Sequence, residues 1–330
     1  MKKIINSIED ITSQMVDGFV KTNAQRVKQL PQTCAVVRTD EEFTTVPHVG
    51  IVSGGGSGHE PLHLGFIGAG MLSAAVAGQV NTSPTPDQIY KAIKAADQGQ
   101  GVLLIVKNYA GDVMNFEIAQ ELAEFDDHRV KTVVVADDIS VEDSAETQGK
   151  RGVAGTVFVE KICGAAAQNG MDLDSLAKLG QSVVENTKTI GLALSAATVP
   201  AVGHPGFELQ DDELEYGVGI HNERGYATEK LAPSKEMATE LVEKISKSFN
   251  TTSGKYAVLV NGLGATPLME QYIFANDVLN KLAEKQINVV FSKVGSFVTA
   301  IDMHGISLTI TKLDDGWEEY LRQDTQAIAW

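Results

Sequence analysis

The chain has 330 residues, 43% hydrophobic and 21% charged, which suits a soluble protein long enough for two ordinary domains with real cores. Its formal net charge of −16 argues against direct contact with DNA or RNA, whose binding depends on Lys and Arg neutralising phosphates. No apolar run is long enough to span a membrane and no signal-peptide core opens the chain, so a cytoplasmic protein is expected; Cys34 and Cys163 give neither a disulfide framework nor a metal spacing.

Taken in order, Ile8, Ile11, Met15 and Phe19 recur at helical spacing and predict a first helix. A strand-like run (Val49, Ile51, Val52) then ends in a loop where four of the five residues from Gly54 to Gly58 are glycine, followed by His59, Glu60 and Pro61. Glycine lets backbone approach a ligand closely, and successive N–H groups in such a loop make a concave donor site. The stretch is not a P-loop, because His59 and Glu60 stand where Lys and Ser/Thr would follow. Nor is it a dinucleotide fingerprint, since the third glycine is missing and Pro61 follows at once. It reads as a small-ligand loop with its own acid or base.

Thr85, Pro86 and Gln88 predict a helix start with a capping box, and Ile89 and Ile93 face the core behind it. Val102–Val106 is a buried-strand run ending in Lys107-Asn108-Tyr109-Ala110-Gly111-Asp112, with Asp112 a solvated carboxylate, an N-cap or a base. Val133–Val135 is a further strand, and residues 157–168 and 175–188 read as helices, with Cys163 in the core. Strand, polar loop and helix in alternation imply a parallel α/β sheet with ligands at the strand carboxyl ends, where His59, Lys107 and Asp112 can converge. Residues 198–234 form a long irregular stretch holding Pro200, Pro205, Pro233 and the run Gly217 to Gly225; it is expected to cross between domains and carry function. Beyond it, Ser234 is read as capping a helix through Met237, Leu241 and Ile245. Residues 256–260 and 289–291 are strands, 268–285 a helix, and Ile306, Leu308 and Ile310 alternate as another strand. The expected fold is two α/β domains, 1–190 with the glycine-rich loop and 191–330.

Among seven histidines, His59 and His221 stand out, each in a glycine-rich loop with a glutamate close behind. A neutral imidazole serves as base, acid or nucleophile near neutral pH. His48, His128 and His304 read as surface or core, His63 is given no role, and His204 belongs to a turn. No zinc, calcium or metalloprotease spacing occurs, so no metal is expected.

Residues 53–61, 82–88, 107–116 and 217–225 together resemble the K subunit of bacterial dihydroxyacetone kinase, in order and spacing along essentially the whole chain. The resemblance implies a homodimer of the K-subunit α/β fold that captures dihydroxyacetone as a hemiaminal on His221. His59 and Asp112 would handle the substrate hydroxyl's proton. Gly56, Ser57 and Lys107 would hydrogen-bond the substrate, with Gly58 completing the binding set. No cofactor would sit on this chain; ADP would sit on a separate L subunit rephosphorylated by the phosphotransferase system.

The chain departs from that family's usual pattern at Asn81, Ala110, Asn222, Arg224 and Ala265. These changes favour a paralogue that keeps capture and drops phosphoryl transfer. The resemblance supplies one: a dihydroxyacetone-bound coactivator that partners a TetR-type transcription factor. The alternative is a working K subunit.

Overall fold

The computed structural model describes residues 2–140, 149–249 and 253–330. The first half runs α1 (Ile11–Thr22), β1 (Val27–Gln29), β2 (Ala35–Arg38), α2 (Glu41–Thr45), β3 (Gly50–Ser57), β4 (Ala74–Val80), α3 (Pro86–Ala96), β5 (Val102–Lys107), α4 (Ala110–Phe125) and β6 (Val130–Val135). The rest runs α5 (Thr156–Gln168), α6 (Leu173–Glu185), β7 (Thr187–Ser195), β8 (Glu213–Tyr216), β9 (Ala227–Lys230), α7 (Ser234–Ser248), β10 (Lys255–Gly262), α8 (Leu268–Glu284), β11 (Asn288–Gly295), β12 (His304–Leu313) and α9 (Trp317–Arg322).

Two six-stranded sheets result, ordered β1-β2-β4-β3-β5-β6 and β11-β10-β12-β7-β8-β9. In the first, β3 pairs in parallel with β4 and β5, and β5 in parallel with β6, while β1 and β2 add an antiparallel edge. The second is mixed, with β10 and β11 its one parallel pair among the described residues. The expected two-sheet α/β fold is observed.

Strand alternation sorts the core. Val52, Leu104 and Val106 pack with Ile89 and Ile93 of α3 and Phe116 of α4 on one face of the first sheet. Ile51, Leu103 and Ile105 pack on the other face with Val157, Phe158 and Ile162 of α5, and that cluster runs on into Ala257 and Leu259 of the second sheet and Val298 of the β11–β12 loop. The fully buried Ile89 and Ile93 each contribute roughly 1.5–3 kcal/mol of burial.

Several expectations need correction. The glycine run is not a loop: Gly54, Gly55 and Gly56 are strand residues opposite Val76, Ala77 and Gly78 of β4. Thr85 is the N-cap of α3, but no capping box forms; its hydroxyl donates to Asp87, and the Gln88 side-chain carbonyl accepts from Cys34 N instead. The helix expected at 175–188 starts earlier, capped by Asp172, and ends before Lys188, which lies in β7. Pro233, not Ser234, caps α7, and the Ser234 hydroxyl donates to Asp277. The irregular stretch contains the β8–β9 hairpin.

Candidate functional site

The site begins with why β3 is glycine. A Cβ on Gly54 would lie 2.6 Å from the Val76 carbonyl, one on Gly56 2.6 Å from Thr82 N, and one on Gly55 would overlap Lys107 Nζ. These glycines serve close approach rather than unusual backbone; only Gly58, at φ +108°, needs the left-handed region. The strand end is then bonded to the other half of the chain. Ile301 N donates to Gly58 O, Thr299 N donates to His59 O, and the Thr299 hydroxyl donates to Glu60 O.

Lys107, the last residue of β5, is fully buried. Its Nζ lies 3.1 Å from Asp112 Oδ2 and 3.5 Å from His63 Nε2. Asp112 sits in the first turn of α4 rather than at its cap, which is Tyr109, so the helix N-terminus favours its negative charge. His63 Nδ1 in turn lies 2.6 Å from Glu160 Oε1 and 3.0 Å from Ser53 Oγ. Burial holds His63 well below the usual imidazole range, with the Lys107 charge adding to it, and pushes Glu160 well above the usual carboxylate range.

The opposite wall is the loop of the β8–β9 hairpin. Tyr226 N donates to Tyr216 O at its base, and Gly217 N donates to Gly191 O of β7. Buried Arg151 ties the loop to the segment that follows β6. Its guanidinium donates to Asp138 Oδ2 at 2.8 Å, to Ser140 Oγ at 2.8 Å and to the Gly217 carbonyl at 2.9 Å. Glu223 accepts from His221 N at 2.7 Å, and its other oxygen faces His221 Nδ1 at 3.6 Å. Burial alone would raise the Glu223 carboxyl; the hydrogen bond and charge of His221 and the nearby Arg151 outweigh it and hold the group below its usual range.

The two singled-out histidines meet. His59 Nε2 lies 3.0 Å from His221 Nε2, with the rings edge to face, and Tyr109 stacks edgewise on His221 from another side. His59 Nδ1 lies 2.7 Å from the Thr299 carbonyl, which can only accept, so Nδ1 carries the proton. Burial, with His221 and Lys107 adding to it, keeps His59 neutral well below the usual imidazole range. Its Nε2 is therefore an acceptor aimed at His221.

In front of these groups lies an open cleft of about 430 Å³, lined by Gly56, Asn81, Ser83, Tyr109, Ala110, Gly111, Asp112 and His221. Volume and lining suit a small polar ligand. An imidazole and a carboxylate lining one cleft, with a buried ammonium against the carboxylate, can add to, orient and move protons on a small carbonyl compound. Among the described residues no cluster of three or more His, Cys, Asp or Glu is placed to hold a metal ion.

The structure thus brings together His59, Lys107, Asp112, Gly56 and His221. Ser57 and Gly58 turn elsewhere: Ser57 Oγ donates to the Gly78 carbonyl, and Gly58 N donates to the Glu60 carboxylate. Both line a separate pocket of about 470 Å³ with Met15, Thr299 and Ile301. The sequence reading gave no role to Ser83, Tyr109, Arg151, His63 or Glu160. The Ser83 signal was its place in the Thr-Ser-Pro run; the buried pairs, distant in sequence, left no local signal.

Residues 17–329 match the family described as the Dak1 domain. The PTS-dependent dihydroxyacetone kinase, dihydroxyacetone-binding subunit DhaK of Lactococcus lactis subsp. lactis (strain IL1403) is 56% identical over 331 residues, covering 100% of this chain and 99% of its own. The DhaKLM operon coactivator DhaQ of the same organism is 40% identical over 332 residues, covering 99% of this chain and 100% of its own. Among solved structures, the dihydroxyacetone kinase operon co-activator DhaQ superposes with a TM-score of 0.90 at 39% identity, covering 98% of this chain and 99% of that one.

Proposed function

The chain belongs to the Dak1 domain family, and from that premise we propose that it binds dihydroxyacetone in the 430 Å³ cleft and captures it as a hemiaminal on His221. The observation that carries this reading is the His59–His221 pair, which joins the two walls of the cleft. A His221 ring nitrogen adds to the ketone carbon, one C–N bond forms and the C=O π bond opens. His59 Nε2, the acceptor facing His221, takes the imidazole N–H proton and returns it to the former carbonyl oxygen, so the addition balances with His59 as the proton carrier. Lys107 and Asp112 hold the substrate oxygens, and Ser83 adds a hydroxyl at the rim.

Of the two roles open to such a protein, we favour the substrate-binding subunit of a phosphotransferase-dependent kinase. The 56% relative supports it. So does the placement of two departures from the family's usual pattern. Asn222, at φ 65°, turns its amide to the Ala197 N–H and carbonyl, away from the His221 ring. Arg224 is exposed and lies over the Phe207 ring. Asp112 would then take the hydroxyl proton during phosphoryl transfer from an ADP-carrying L subunit.

The second reading is the coactivator partnering a TetR-type regulator, supported by the 40% relative and by Ala110 and Asn81 lining the cleft itself. Either role is expected to use a homodimer, read by light scattering. The deciding experiment supplies dihydroxyacetone, an ADP-loaded L subunit and the phosphate relay, with adduct followed by intact mass. Adduct with turnover supports the kinase subunit. Adduct without turnover supports the coactivator, and absence of adduct overturns capture. Asp112→Asn is expected to spare capture and stop turnover.

A further inference from the structure

Behind Lys107 lies a chain of buried polar groups that the capture chemistry does not use. His63 and Glu160 are distant in sequence and both buried, Glu160 completely. Glu160 Oε2 has no hydrogen-bond partner. A buried carboxyl left half-satisfied destabilises a fold, so packing alone would be better served by an apolar side chain of that size.

The hydrogen bonds give the chain a direction. Ser53 Oγ donates to the Ile105 carbonyl at 2.6 Å, so it turns a lone pair to His63 Nδ1. Glu160 Oε1 also faces Nδ1. Nδ1 is therefore the donor, and Nε2 presents its lone pair to the Lys107 ammonium. An ammonium has three N–H groups. One goes to Asp112 and one faces His63, leaving a third for a ligand oxygen. Gly55 is the spacer that makes room, since a side chain there would displace Nζ.

We propose that Glu160 and His63 are positioning residues for the cleft: Glu160 fixes the tautomer of His63, and His63 holds Lys107 Nζ against Asp112. The inference rests on the cleft being the ligand site, as read above, but its geometry can be tested without a ligand.

The protein is labelled with ¹⁵N-lysine, and the Lys107 ammonium signal is assigned by its loss in Lys107→Met. Glu160→Leu and His63→Gln are compared with Val183→Ala, a core substitution in α6 that lowers stability away from the cleft. The expected result is a shifted or broadened Lys107 signal in the first two and an unchanged one in the third. In the same preparations, dihydroxyacetone capture per folded molecule is expected to weaken about tenfold in Glu160→Leu and His63→Gln and not in Val183→Ala. Glu160→Gln, which keeps an acceptor facing His63 Nδ1, is expected to recover part of the loss. An unchanged ammonium signal, or capture losses no larger than in Val183→Ala, overturns the proposal. Should the unsubstituted protein capture no dihydroxyacetone, the functional reading fails, while the ammonium signal still decides the positioning role.

Discussion

The two walls of the cleft are built differently. The inner wall stands on strand ends and the first turn of α4: Gly56, Lys107 and Asp112 are held by β3, β5 and that helix, and Lys107 and Asp112 are nearly sealed from solvent. The outer wall is the β8–β9 hairpin loop carrying a partly exposed His221. The difference follows from charge. A buried ammonium and carboxylate hold only if their partners are already in place, because desolvation is large for each ion. The His221 imidazole, partly exposed, is spared most of that penalty and can ride on a loop, provided something holds that loop. Arg151 is the tie.

The sharpest way to break the contrast is at the outer wall's tip. His221→Ala is expected to abolish the adduct by intact mass while leaving the melting temperature close to unchanged; a persisting adduct would place the nucleophile on the other wall. Next is the tie itself. Arg151→Met leaves Asp138 buried without its cation, and a loss of about 3–5 kcal/mol in urea unfolding is expected. On the inner wall, Gly55→Ala pushes a methyl into Lys107 Nζ, so a loss of about 1–3 kcal/mol and weaker capture are expected together.

The pH dependence separates the walls further. Between about pH 4.5 and 6.5, the ordinary values for Glu and His, the unfolded chain protonates His59 and His63 while the folded chain does not. Each therefore loses stability as pH falls. Glu160 acts oppositely, since the folded chain keeps a proton that the unfolded chain has released. Glu160→Gln removes that offset, so stability should fall more steeply toward acid, by at most about 1.4 kcal/mol per pH unit, in denaturant unfolding at pH 7, 6 and 5. The smallest effect is expected at Arg224→Ala, within about 0.5 kcal/mol and with capture unchanged, since this loop residue is exposed.

What the sequence disclosed divides along the same line. The apolar run Val102–Val106 and the Ile89/Ile93 spacing announced the first sheet and its helix, because buried strands and amphipathic helices write local patterns. The glycines of β3 misled, since glycine marks turns as often as close backbone approach, and only the positions of Val76 and Lys107 tell which. β8 and β9 were hidden because Glu213-Leu-Glu-Tyr and Ala-Thr-Glu-Lys are short and polar. His59 and His221 were legible from their glycine-rich settings. Their 3.0 Å contact was not, nor was the His63–Glu160 pair, because these contacts are made by tertiary packing across the fold.

The placement of β3 also bears on how a ligand arrives. It is hydrogen-bonded to β4 along Val52–Ser57 and to β5 along Gly50–Ser53, so the inner wall cannot yield without breaking a sheet. Entry and closure therefore fall to the hairpin side, and the rate of association should track how often that loop opens. Amide hydrogen exchange should be slow at Gly54 and Gly55 and faster over the hairpin loop, residues 217–226, with only the latter slowing once the cleft is filled.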